Sequence, residues 1–305
     1  MNFSVSHNSS SSSSCMPHSW SQDSLVFVAN ICLIVVVGGL GNLLTLVAVP
    51  WAARNHPDRF PHLYSLPTLL LLHLSLCDLL YLLLGLPMAI TSSVLSSNVF
   101  CDVATVVRNV VAVADFYTMA AIALTRSIGI LQSLGFREIV CKRKLSTLWT
   151  LVVIWVLSFL NNSFFIWSTL NMFGYKIRAM IIGVIVPCFT TFISYLSAGL
   201  YLSYHLVKQN ELTNHKSAIK QTKLQVHLFV LTVSYLFFMI PMIVVDTGIV
   251  TEEWVSKILY SVYWWMFCLN FIIYLVFIKD FQTIYGMFLR DAGKYVSKCF
   301  GMGGK

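Results

Sequence analysis

Apolar residues run through this chain in seven long stretches, at about 25–49, 67–92, 101–132, 145–169, 178–207, 224–247 and 255–278, joined by polar connections. Each provides the roughly 20 mostly apolar residues that a membrane-spanning helix needs. The pattern predicts an all-α membrane protein, a seven-transmembrane helix bundle over 25–278 with no sizeable soluble domain between spans. Residues 1–24 read as a Ser-rich polar tail that lacks the basic start and apolar core of a cleaved signal peptide. Over residues 279–305 the period changes. Phe281, Ile284, Tyr285, Phe288 and Leu289 recur at i, i+3, i+4, i+7 and i+8, flanked by Lys279, Asp280, Arg290 and Asp291. That spacing predicts a short amphipathic helix on the inner membrane surface, ending in a basic tail.

Composition strengthens this reading. The chain is 57% hydrophobic and only 10% charged, against roughly 25% charged in an average soluble domain. The net charge of +8 is unevenly placed. Arg54, Arg59, Arg137, Arg143, Lys208, Lys216, Lys220 and Lys223 follow the first, third and fifth stretches, and Arg290, Lys294 and Lys298 lie in the tail. The opposite side carries Lys176, Arg178 and Lys257. Basic loops favour the cytoplasm, so the N-terminus is expected outside and the C-terminus inside. The positive face then meets anionic membrane lipids, and no nucleic acid is invoked. Asn2 and Asn8 open glycosylation triplets in the outer tail, in line with that orientation. The eight cysteines show no metal-binding spacing, and Cys299 in the basic tail is a lipidation candidate.

Charge inside the spans is more informative, because a charged side chain at a helix centre costs about 2.5–3.5 kcal/mol on insertion scales. The intramembrane polar set is Asn42, Asp78, Arg108, Asp115, Arg126 and Asn270. At 100° per residue, Arg108, Asp115 and Arg126 fall within about 20° of one another in succession. One stripe of the third helix therefore carries an outer cation, a central anion and an inner cation, and must face the bundle interior. Asp78 and Asp115 both lie near mid-bilayer. Two close carboxylates do not both stay ionised unaided: one is protonated, the pair shares a sodium ion, or Arg108 neutralises Asp115. No nucleophile–base set is present, so an enzyme is not expected.

Taken in order, these residues resemble those of the rhodopsin-like G-protein-coupled receptors. "GGLGNLLTLV" carries Asn42, and "LHLSLCDLLYLLLGLP" carries Asp78 and Pro87. Cys101 stands 25 residues before Arg126, Trp155 is the Trp of the fourth helix, and Tyr195 stands eight residues after Pro187. "YLFFMIP" ends at Pro241, and "NFIIY" carries Asn270 and Tyr274. The resemblance implies that an extracellular ligand shifts a two-state bundle, the sixth helix swings out around Pro241, and a heterotrimeric G protein docks beneath Arg126. Arrestin is a further implied partner. Tyr195 and Tyr274 are then expected to meet Arg126 through water, and Asp78, Asp115 and Asn270 to form an ion or proton site.

The chain departs from the pattern at several points. Thr125 and Ser127 replace the acid and the aromatic beside the arginine, Met239 replaces the Trp of the sixth helix, and Phe271 replaces the Pro after Asn270. The connection between the fourth and fifth helices has no cysteine, leaving Cys15 as the candidate disulfide partner of Cys101. Without acidic neighbours Arg126 is less restrained, so high basal activity is expected.

Arg108 occupies the place where amine receptors of the family carry an acid, which disfavours amine ligands. With Lys176, Arg178, Asp246 and Trp264 it is expected to line a site for a peptide or small anionic molecule. A lipid or chemosensory receptor, a non-signalling decoy and a transporter or channel remain alternatives.

Overall fold

The computed structural model describes residues 25–95, 98–133, 143–167, 181–208, 230, 233–235, 237–245, 249–250 and 252–299. All regular structure among them is helical. Helix α1 is Leu25–Asn55. Helix α2 spans 66–95, as Leu66–Leu80, a π turn at Tyr81–Gly85 and Leu86–Leu95. Helix α3 is Asn98–Ser133 and α4 is Arg143–Trp167. Helix α5 combines a π turn, Ile181–Ile185, with Val186–Lys208, and α6 is Val233–Val245. Helix α7 comprises Glu253–Trp264 and Met266–Phe277, and α8 is Lys279–Cys299.

Among the described residues, five helical segments are long and apolar enough to cross a membrane: Val26–Asn55, Leu66–Met88, Val103–Gly129, Ile181–Tyr201 and Trp254–Phe277. Leu148–Ser163 in α4 and Val233–Val245 in α6 are apolar but shorter. Asn2, Asn8, Cys15, Lys176, Arg178 and Asp246 lie outside the described residues.

Three departures from regularity have identifiable causes. Proline cannot donate to the carbonyl four residues back, and its ring crowds that carbonyl. Pro87 and Pro187 each follow a π turn, whose wider loop leaves room for the crowded carbonyl. Pro50 is instead tolerated inside α1, which ends at Asn55 rather than near residue 49. The extra turn is held by Tyr64 Oη donating to the Ala53 carbonyl at 3.0 Å and Asn55 Nδ2 to the Trp51 carbonyl at 2.9 Å. Such bonds satisfy the orphan acceptors at a helix end.

Helix α1 lies tightly against α7. A Cβ added at Gly41 would enter the Phe271 ring, and one at Gly38 would come within 2.7 Å of Cys268 Sγ. The contact is sealed by Asn42 Nδ2 donating to the Phe267 carbonyl at 2.9 Å. Small residues allow this approach, and an amide bonded across it gives it register.

Helix α8 corrects one expectation. Its apolar face is not simply laid on the membrane. Phe281, Ile284 and Tyr285 are buried in the bundle core. The Tyr285 hydroxyl sits 2.8 Å from Thr45 Oγ1 of α1, and Phe288 packs edge-on to Trp51. Leu289 and Tyr295 face outward, so the part of α8 near Leu289 and Tyr295 is what remains to meet lipid.

Candidate functional site

The bundle interior holds a polar axis centred on Asp78 of α2, Asp115 of α3, Asn270 of α7 and Tyr235 of α6, all essentially inaccessible. Asn270 Nδ2 lies 2.6 Å from Asp78 Oδ2 and 2.6 Å from the Tyr235 hydroxyl. One amide therefore ties three helices together. Asp115 is near enough to Asp78 to interact electrostatically. It also neighbours the Tyr235 hydroxyl, although neither carboxylate oxygen has a hydrogen bond of good geometry.

Acceptors outnumber donors here. Asp78 Oδ1, both oxygens of Asp115 and Asn270 Oδ1 are buried without a partner among the described residues. The titratable neighbours that interact with these acids are thiols and phenols: Cys77, beside Asp78 on α2, and Cys188, Cys268, Tyr235, Tyr263 and Tyr274 on other helices. No described cation pairs with either acid, so of the three alternatives the Arg108–Asp115 pair is not formed. Buried charge and unpaired acceptors are expensive in a low dielectric, and a proton or a hard cation that takes oxygen ligands is the kind of group these oxygens could hold. The orphaned oxygens fit such a group.

Toward one end, Arg108 of α3 is half-buried and abuts Gly85 of the π turn in α2. Its charge reaches the phenol of Tyr263, which itself faces Tyr81. Tyr81 stacks on Phe267 at 3.7 Å between centroids and 14° between planes. Trp264 falls elsewhere. It is buried against Phe27 of α1 at 6.1 Å and Tyr260 at 6.1 Å. The aromatic of α7 beside Arg108 is Tyr263, one residue away and 100° round the helix.

Toward the other end, Arg126 interacts with Tyr195 of α5, and Tyr195 with Tyr274 of α7. Arg126 Nε has no hydrogen-bond partner among the described residues. Thr125 and Ser127 spend their hydroxyls elsewhere. Thr125 Oγ1 donates to the Ile122 carbonyl at 2.9 Å, and Ser127 Oγ to the Ser194 carbonyl at 2.7 Å. Met239 is buried near the axis and Pro241 is half-buried on the same helix. Cys101 and Cys299 lie within α3 and α8.

A second polar relay escaped the sequence reading. Trp155 Nε1 donates to His73 Nε2 at 2.9 Å, and His73 Nδ1 lies 2.9 Å from Thr118 Oγ1. Thr118 Oγ1 in turn reaches the Ala114 carbonyl at 2.6 Å. His73 is five residues before Asp78, about 140° round α2. It therefore faces α3 and α4, away from the axis on which the sequence search was centred.

The chain matches no protein-family model and no curated protein. Any functional reading rests on the residues themselves.

Proposed function

We propose that this chain is a rhodopsin-like G-protein-coupled receptor of the plasma membrane, with its N-terminus extracellular and its C-terminus cytoplasmic. In this reading a ligand binds at the Arg108 end and a heterotrimeric G protein docks at the Arg126 end. The observation that carries it is Arg126 of α3, half-buried within electrostatic reach of Tyr195 of α5, with its Nε unpartnered and no carboxylate paired with it among the described residues. An arginine with a phenol nearby and no carboxylate paired to it is available to carbonyl acceptors of a docking helix.

Ligand contact at Arg108 and Tyr263 is one step from Phe267, whose ring meets Tyr263 edge-on at 5.7 Å and stacks on Tyr81. Phe267 is bonded to Asn42, and the same segment of α7 carries Asn270. Asn270 is bonded to Tyr235 on α6, the helix that would pivot at Pro241, where the missing backbone bond permits a hinge. A ligand that binds one arrangement of this chain better shifts its population. A half-buried guanidinium whose charge reaches one buried phenol suits an anionic group, either a peptide carboxylate or a small acid.

Asp78 and Asp115, with Asn270 Oδ1, would hold a sodium ion. Bound there, the ion would neutralise the carboxylates and oppose rearrangement of α2, α3 and α7. Arrestin is the further expected partner at the Arg126 end.

The test is nucleotide exchange on a panel of heterotrimeric G proteins, with the full chain in lipid nanodiscs. Basal exchange above empty nanodiscs, abolished by Arg126→Ala, is the expected result. Exchange equal to empty nanodiscs across the whole panel would reject the reading.

A further inference from the structure

The resting position of Arg126 needs an explanation, since no acid neighbours it in sequence and no described carboxylate pairs with it. The adjoining residue supplies one. Ser127 is buried, and its Oγ donates across the helix interface to the Ser194 carbonyl at 2.7 Å. Ser194 immediately precedes Tyr195, the phenol beside Arg126. Two adjacent residues of α3 thus meet two adjacent residues of α5. Ser127 meets the backbone of Ser194, and Arg126 meets the side chain of Tyr195.

The surroundings favour a tether over an incidental contact. Ala123 on α3 and Ala198 on α5 are buried within one turn of the bond, and small residues let helix backbones approach closely in a membrane. The same carbonyl accepts Ser197 Oγ at 3.0 Å from within α5. Ser197 satisfies it without crossing helices, so Ser127 supplies the cross-helix bond at this end of the α3–α5 pair, ten residues along α3 from Tyr117, whose Oη donates to the Ile182 carbonyl of α5 at 3.2 Å. Thr125, on the other side of Arg126, returns its hydroxyl to its own helix. A backbone acceptor does not change its charge, so a tether made this way is indifferent to pH and to acidic partners.

We propose that Ser127 is a positioning residue, and that its bond to the Ser194 carbonyl holds Arg126 against Tyr195 in the arrangement competent to couple. This rests on the receptor reading above. Loss of the bond lets α3 and α5 slip, Arg126 leaves Tyr195, and basal coupling falls. The chain thereby replaces a lock that restrains the arginine with a tether that presents it.

The experiment compares the full chain with Ser127→Ala, Ser127→Cys and Ser127→Thr in nanodiscs. It reads amide hydrogen exchange in peptides covering residues 190–201 and, separately, basal nucleotide exchange on G protein. An interhelical hydroxyl bond in a membrane protein corresponds to roughly a threefold change in an equilibrium. Ser127→Ala should therefore speed amide exchange in α5 and slow nucleotide exchange, each about threefold. Ser127→Cys keeps the volume with a weaker donor and should fall between, while Ser127→Thr keeps the hydroxyl and should restore both. Unchanged amide exchange in Ser127→Ala would overturn the tether. Faster amide exchange with undiminished nucleotide exchange would overturn its positioning role. Faster amide exchange with no nucleotide exchange in any protein, the native chain included, would leave the tether standing and reject the receptor reading instead.

Discussion

Trp155 donates its indole N–H to His73 Nε2 at 2.9 Å, and this bond decides which nitrogen of a buried histidine carries the proton. With Nε2 accepting, a neutral ring has its hydrogen on Nδ1, 2.9 Å from Thr118 Oγ1. Thr118 Oγ1 donates its own hydrogen bond to the Ala114 carbonyl. One chain of bonds therefore joins α4, α2 and α3. Trp155→Phe keeps the aromatic packing but strips His73 of its donor. A buried acceptor left unpaired costs about 1–3 kcal/mol, so the variant should unfold at lower temperature than the native chain in the same detergent. An unchanged melting temperature would show that the relay adds no stability.

At the junction of α1 and α7, Gly41 has no room for a side chain. Gly41→Ala puts a methyl group into the Phe271 ring and should destabilise by about 1–3 kcal/mol, the usual penalty for overpacking. Phe271→Ala in the same chain opens the space. The double variant should be more stable than Gly41→Ala alone, measured by thermal unfolding. If the two changes simply add, the close approach of the helices is not what Gly41 serves.

The clasp of α8 on α1 depends on pH. Burial pushes the Tyr285 hydroxyl up to about 12, although its bond to Thr45 works in the opposite direction. The folded state then holds a proton that the unfolded chain releases near the usual tyrosine value of about 10. Stability from this group is complete below pH 10 and is lost as pH rises from about 10 to about 12. Tyr285→Phe should show less loss of helix and thermal stability across that window than the native chain. Identical alkaline profiles would rule out Tyr285 as the source.

The acidic cluster should respond to sodium. At equal ionic strength, sodium chloride in place of choline chloride should raise the native melting temperature by about 1.5–2 °C, the shift that corresponds to roughly 1 kcal/mol at about 2.1 cal/mol/K of unfolding entropy per residue. Asp115→Asn should abolish that difference and raise the melting temperature without sodium, because it removes a buried carboxylate whose two oxygens have no partner. A sodium effect that survives Asp115→Asn would place the ion elsewhere.

Much of the polar axis was legible by counting. Arg108, Asp115 and Arg126 repeat at helical multiples. The same arithmetic, applied to the seventh helix, puts Tyr263 within about 20° of Asn270, seven residues later, and Tyr274 about 40° round from it. It would have preferred Tyr263 to Trp264 beside Arg108. Tyr235 and Met239, four apart, share one face of α6, yet the tyrosine hydroxyl looked like one more aromatic in an apolar run. His73 was not legible at all, because its partners lie on two other helices.

Sequence by itself determined the apolar stretches, the charge stripe on the third helix, the amphipathic period from Phe281 to Leu289 and the missing acid beside Arg126. These are local properties: helix length, 100° steps and the penalty for charge in lipid apply to each segment separately. Tertiary structure decided which groups meet. It gave Asn270 to Asp78 and Tyr235, left Arg108 apart from Asp115, turned the face of α8 onto Thr45 and Trp51, and bonded Ser127 to a carbonyl of α5. Those pairings depend on helix rotation and on how closely glycines and alanines let backbones approach, and no pattern within one helix encodes the register of another.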